Sequence, residues 1–339
     1  MKSYGHSLTC LIFLVTGLFA SLVLAIGFGS TDISAGVVLD AMIQGIRGTI
    51  DQASVDASVI WHLRLPRTVM AALAGAGLAT VGSALQSANR NPLADPYLFG
   101  IASGASLGAV VVLTQTGLFL GDITLPLGAF IGALGSVGLV LTMAGSLQQT
   151  SVERMILSGV AVSFVLMALT NLMLFLAETR AVASAMFWMM GGLDRALWNQ
   201  LLFPAIALVG GVMFLFSKAD ALNAMMCGDE SALTLGVDVP RLRYQIFGIA
   251  ALITATIVAI AGAIGFVGLM VPHAVRLLSG ADNRLVLPFS ALSGAIFLIW
   301  VDVMARTIAA PQEIPVGILT AAFGSVFMVI YMKNRGGHS

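Results

Sequence analysis

Ten apolar stretches, most of them about 20 residues long and nearly free of charge, limit what this chain can fold into. They fall near residues 8–29, 66–88, 97–116, 124–146, 155–177, 197–217, 244–264, 265–279, 285–306 and 314–332. A helix rises about 1.5 Å per residue, so about 20 apolar residues cross the hydrocarbon of a bilayer. Strands of a membrane barrel would instead alternate in polarity over about ten residues, which these runs do not. Charged residues make up 9% of the chain and hydrophobic ones 58%, against about 25% charged in a soluble domain. The expectation is an all-α polytopic membrane protein of about ten spans, one membrane domain over residues 1–339 with no soluble domain.

The first run is 22 residues long and follows a short head containing Lys2. A signal peptide would have an apolar core of about 7–15 residues and a small-residue cleavage site. We read a retained first span. The eighth run is too short to cross alone, and Gly262, Gly265 and Gly268 before and within it could let the chain reverse. Such a segment fits only where protein surrounds it. Spans two to five and seven to ten form two groups offset by an odd number of spans, so a repeat relating them would be inverted.

Lysine and arginine set the orientation. With the N-terminus cytoplasmic, ten of the 16 basic residues fall inside and six outside: Arg47, Arg64, Arg67, Arg180, Arg195 and Arg306. Both termini are then cytoplasmic. Two outer segments read as helices lying on the membrane: residues 34–50, with Val38, Met42, Ile46 and Ile50 every four positions, and "MFWMM" at residues 186–190. Gly100, Gly104 and Gly108 share a helix face, as do Gly128 and Gly132, a spacing that lets helices approach closely.

The chain carries no engine and no catalytic constellation. A phosphate-binding loop needs G-x-x-x-x-G-K-[ST], and none of Lys2, Lys218 and Lys333 sits in that pattern. His6, His62, His273 and His338 form no metal-binding spacing, and no nucleophile elbow is present. Cys10 and Cys227 suggest neither a disulfide nor a metal site. The zero net charge gives no basic surface for nucleic acid. Within the spans Asp302 is the main ionisable group, with Arg306 four residues on as a local ion-pair partner. The lack of acid–base relays argues against a secondary transporter working alone, and a membrane enzyme would need groups that are missing.

Energy for uphill transport would therefore enter through a partner. "GDESALTLGVDV", residues 228–239, is the densest acidic patch and lies in the largest cytoplasmic loop, residues 218–243. It reads as a helix with Ala232, Leu233 and Leu235 on an apolar side. At the outer side Arg64, Arg67 and Arg306 cluster against the positive-inside bias. They are either snorkelling anchors or a dock for a partner's carboxylates, which guanidinium groups hold bidentately.

"LRLPRTVMAALAGAGLATVGSALQSANRNPLADPYLFGIASGASLG" (63–108), "GDESALTLGV", "AGAIGFVGLMVPHAVRLL" and "IPVGILTAAFGSVF" together resemble the FecCD-type permeases, membrane subunits of ABC importers for vitamin B12, ferric siderophores and haem. The resemblance runs from about residue 60 to the C-terminus. It implies ten-helix protomers paired as a homodimer or with a related subunit in a bacterial inner membrane. Two ATPase subunits would sit below, carrying ATP and magnesium, and a periplasmic binding protein above. This chain would hold no cofactor itself.

It further implies that Gly228, Asp229, Glu230, Ala232, Leu233, Leu235 and Gly236 form a coupling helix for the ATPase. Arg64, Arg67 and Arg306 match positions that receive glutamates of the binding protein. Asn91 and Leu93 match a cytoplasmic gate, Thr150 and Ser151 resemble a second gate, and the fifth span, near Ser158 to Leu174, would line the path. The substrate is not named. A ferric siderophore is the leading expectation, with haem or vitamin B12 as alternatives.

Overall fold

The computed structural model describes residues 4–29, 33–50, 54–145 and 152–336. Their regular structure is all helical, with no strand among them. The helices are α1 (Tyr4–Gly27), α2 (Ala35–Arg47), α3 (Val55–Val59), α4 (Leu65–Asn89), α5 (Ile101–Val111), α6 (Thr124–Ala144), α7 (Val152–Leu176), α8 (Thr179–Met189), α9 (Trp198–Ser217), α10 (Ala219–Met226), α11 (Asp229–Thr234), α12 (Val239–Ala261), α13 (Val267–Ser279), α14 (Asn283–Thr307) and α15 (Val316–Gly336).

Seven helical segments are long and apolar enough to cross a membrane, and three shorter apolar ones complete the ten expected runs. The second span is continuous with α3 through a wider turn at Ile60–Arg64. The seventh begins at Val239, earlier than its apolar run suggests, because Asp238 caps it by accepting from the Arg241 amide at 3.1 Å.

Helix α4 is the hub. It packs on α14, α13, α12, α9 and α10, and most of it is buried. Its sequence allows this because glycines stand where partners cross. A Cβ on Gly75 would run into the Gly294 carbonyl of α14, and one on Gly82 into the Gly268 carbonyl of α13. Lipid gives helices no hydrophobic reason to associate, so close van der Waals fit must hold them. The apolar faces of α1, α6, α7 and α9 stay largely exposed. Gly104 and Gly108 of α5 likewise meet the Gly132 and Gly128 carbonyls of α6, which makes that pattern internal packing.

The packing shows a repeat between spans two to five and seven to ten. Exchanging α4 with α12, α5 with α13, α6 with α14 and α7 with α15 turns several of the main contacts into one another. The α4–α14 contact becomes α12–α6, α5–α6 becomes α13–α14, and α5–α7 becomes α13–α15. The α13–α4 contact becomes α5–α12.

Three local expectations are corrected. At the break before α13, the left-handed residues are Gly262 and Phe266, with φ of 65° and 68°. Gly265 sits in open space, and Gly268 lies inside α13 against the Leu78 carbonyl. Helix α2 ends at Gly48, and its buried side is Val38 and Ala41. These pack with Ile26, Ala57, Ile60 and Leu65, whereas Leu39, Ile43 and Ile46 are exposed. The 228–239 stretch is helical over Asp229–Thr234 and again only at Val239, where α12 starts, and a second loop helix, α10, precedes it.

Candidate functional site

The loop between α9 and α12 is built from its ends inward. Gly228 has φ 121° and ψ 152°, a conformation that suits only glycine, and it starts α11. Gly236, at φ 80°, stops it. The amide of Gly236 donates to the Leu233 carbonyl at 2.9 Å and that of Val237 to Ala232 at 3.0 Å, the paired bonds of a glycine-terminated helix end. Within this turn the side chains divide. Ala232 is fully buried. Asp229 turns inward, where both carboxylate oxygens accept from Arg243 Nη2, at 3.1 and 3.0 Å. The same nitrogen donates to the Ala88 carbonyl at the end of α4, at 3.4 Å. Glu230, Leu233 and Leu235 face outward, and Leu235 is 72% exposed.

Helix α10 anchors this loop to the spans. The Asn223 side-chain oxygen accepts from the Asn283 backbone amide at 2.8 Å and from its side-chain amide at 2.9 Å. Asn283 Oδ1 accepts from Ser87 of α4, and Ser87 Oγ accepts from Arg276 Nη2 of α13, at 2.8 and 2.9 Å. Helix α10 is thus tied to α4, α13 and α14 through short polar contacts. Their composition hides this, since a lone Asn or Ser in an apolar run announces no partner.

At the other end of the molecule, Arg64, Arg67 and Arg306 do come together, but as a buried and largely satisfied group. Arg67 Nε donates to both oxygens of Asp302, at 2.9 and 3.1 Å, and Arg67 Nη1 to Glu313 at 2.7 Å. Arg306 Nε lies 3.4 Å from Asp302 and its Nη2 donates to the Ala25 carbonyl at 2.9 Å. Arg64 Nη1 donates to the Ile26 and Gly27 carbonyls. Two of the three arginines thus satisfy orphan carbonyls at the end of α1. Asp302, expected to pair locally, has its shorter contacts with Arg67. Removing one partner of a buried ion pair generally costs about 3–5 kcal/mol, so reversing these charges would disturb the fold together with any docking.

The residues expected to form the inner gates are placed differently. Asn91 Oδ1 accepts from the Leu93 amide at 2.9 Å, and the Ala94 amide donates to the Asn91 carbonyl, a turn that leaves Leu93 exposed. Asp95 follows. It is buried, caps the next turn by accepting from the Tyr97 amide at 2.9 Å, and burial pushes its carboxyl up to about 6. Tyr97 Oη accepts from the Ile264 amide, tying this turn to the α12–α13 break. Thr150 and Ser151 lie outside the described residues. Ser158 is buried on α7 and Leu174 is partly buried near its other end. Asn91 lines a cavity with Arg90, His273 and Arg276, and Arg67 lines a different one.

Between the arginine group and α8 lies a cavity of about 490 Å³ walled by α8, the turn after it, the end of α12 and the start of α15. Sequence reasoning did not single it out. Among the described residues no three His, Cys, Asp or Glu side chains are grouped to hold a metal ion.

The whole is a bundle of ten apolar helical runs with an outward-facing apolar turn braced to the spans. The chain belongs to the FecCD transport family, whose family model matches residues 17–334. It is 41% identical over 277 residues to the cobalamin import system permease protein BtuC of Halobacterium salinarum, covering 82% of this chain and 74% of that one. It is 35% identical to the Fe(3+) dicitrate transport system permease protein FecC of Escherichia coli, covering 91% and 92%. A solved metal-chelate type ABC transporter in an inward-facing conformation matches with a TM-score of 0.82 at 31% identity, over 96% of this chain and 99% of that one. The chain is accordingly a multi-pass permease of the ABC importer kind, a translocation component whose ATP hydrolysis takes place on a separate subunit.

Proposed function

We propose that this permease moves a large iron chelate of the ferric siderophore type across a bacterial inner membrane by ATP-driven alternating access. Haem and vitamin B12 are alternative cargoes of the same machinery. Two permease chains, two ATPase subunits holding ATP and magnesium, and a periplasmic binding protein make up the working complex. The 228–236 turn faces the cytoplasm and the ATPase, and Arg64, Arg67 and Arg306 lie at the periplasmic docking side.

The observation that carries this reading is the division of side chains on α11. Asp229 and Ala232 hold the turn to its own protein, while Glu230, Leu233 and Leu235 are presented to a partner. A coupling element must make contacts that differ between nucleotide states, and two exposed leucines on a firmly braced turn supply them. Asn91 and Leu93, with Thr150 and Ser151, would form the inner gates, and α7 near Ser158 and Leu174 would line the path.

Leu235→Asp changes an exposed side chain and should leave the permease folded while uptake by reconstituted vesicles falls at least tenfold. The test is uptake together with binding-protein-stimulated ATP hydrolysis. Normal coupled transport in the variant would remove the coupling assignment, and uptake driven by an ion gradient without any ATPase would remove the importer reading.

A further inference from the structure

The cavity beside α8 carries cations that the fold does not use. Of its three arginines, Arg67 is committed to Asp302 and Glu313. Arg180 is exposed and has no acidic partner among the described residues. Arg195 has only its neighbour Asp194, at 4.0 Å, and both side chains are well exposed. Phe187 is exposed on the same wall. Trp188 is buried there, and its indole N–H has no acceptor in the protein.

The floor is rigid. A Cβ on Gly191 would meet the Ala263 carbonyl, one on Gly262 the Trp188 carbonyl, and one on Gly317 the Met190 carbonyl. The Gly192 amide donates to the Ala261 carbonyl at 2.9 Å, and the Gly317 amide to that of Gly191 at 3.3 Å. Three backbone segments are thus locked together beneath two loosely neutralised guanidinium groups and an aromatic face.

We infer that this cavity is a cargo-binding vestibule for a carboxylate-bearing metal chelate, held by Arg180 and Arg195 against Phe187. The inference rests on the importer reading and narrows its cargo. Guanidinium groups pair bidentately with carboxylates, and an aromatic wall accepts the apolar part of a chelate. Ferric citrate and haem offer free carboxylates. Cobalamin carries amides on its ring, which gain far less from two arginines. Acidic side chains of a docking protein are the competing occupant.

The test uses the full permease–ATPase complex in nanodiscs, without binding protein. Ferric citrate, haemin and cyanocobalamin are titrated separately, and binding is read by calorimetry. Ferric citrate or haemin should bind at least tenfold more tightly than cyanocobalamin. Arg180→Gln with Arg195→Gln should weaken that binding at least tenfold, and the paired lysine variants should retain part of it. Equal binding of cyanocobalamin, or unchanged affinity in the glutamine variant, overturns the proposal. Retained chelate binding with lost binding-protein affinity assigns the arginines to docking and overturns it as well. Binding-protein stimulation of ATP hydrolysis in the wild-type complex reports separately on the importer reading. Its absence removes that reading and the vestibule with it, whereas intact stimulation confines a negative result to the cargo.

Discussion

Asp229 and Leu235 are six positions apart in one short turn and do opposite things. The carboxylate of Asp229 is held by Arg243, whereas Leu235 stands in solvent. An acidic patch in an oily chain invites the view that every acid faces a partner, and the pairing with Arg243 shows one acid serving its own fold. Asp95 shows a second internal use of a carboxylate. Its folded-state value near 6 lies above the usual 3.8 because burial disfavours the charge. A raised carboxyl favours the folded state at low pH, and that contribution is lost as pH rises from about 4 through about 6. The loss amounts to up to about 3 kcal/mol. Asp95→Asn keeps an acceptor for the Tyr97 amide, so its melting temperature should change less between pH 5 and pH 7.5 than that of the wild type. An identical pH dependence in the variant would show that Asp95 is not the titrating group.

At the scale of elements, glycine decides which helices can touch. Helices α5 and α6 approach so closely at Gly108 and Gly128 that a side chain on Gly108 would enter the neighbouring backbone. Gly135, on the same α6, has nothing within 4 Å of where its Cβ would be. Gly108→Leu should therefore destabilise the permease by at least about 1–3 kcal/mol, the usual cost of overpacking. Gly135→Leu should be nearly neutral. Thermal unfolding of the two variants in detergent compares them directly, and similar midpoints would contradict the close approach. The spacing of these glycines was readable in the sequence as a packing face, but its partner was not. The same limit applies to Arg64 and Arg306, whose bonds to the end of α1 no local pattern announces.

For the whole molecule, the two four-helix groups interlock so that α4 of one packs on α14 of the other, and α12 on α6. The exposed apolar faces of α7 and α15, including Phe164, Phe175, Val326 and Val329, leave a large surface for lipid or a second chain. Under the importer reading, native mass spectrometry of the purified complex should find two permease chains of 35.2 kDa each together with the ATPase subunits. A complex containing one permease chain would overturn the proposed pairing.

The sequence by itself determined the spans, the missing nucleotide site and the loop most fit for a partner. These follow from apolar length, residue type and local spacing, which neighbouring residues express without help from distant ones. Only the tertiary structure decided which charges are available. Arg67 meets Asp302 across 235 positions and Glu313 across 246, while Arg180 meets no acid among the described residues. Burial and pairing depend on which helices the backbone brings together, and that depends on close fit at glycines whose partners lie elsewhere in the chain. The tertiary structure thus gave the arginines proposed for docking an internal ionic role as well and left Arg180 and Arg195, beside α8, with little use in the fold.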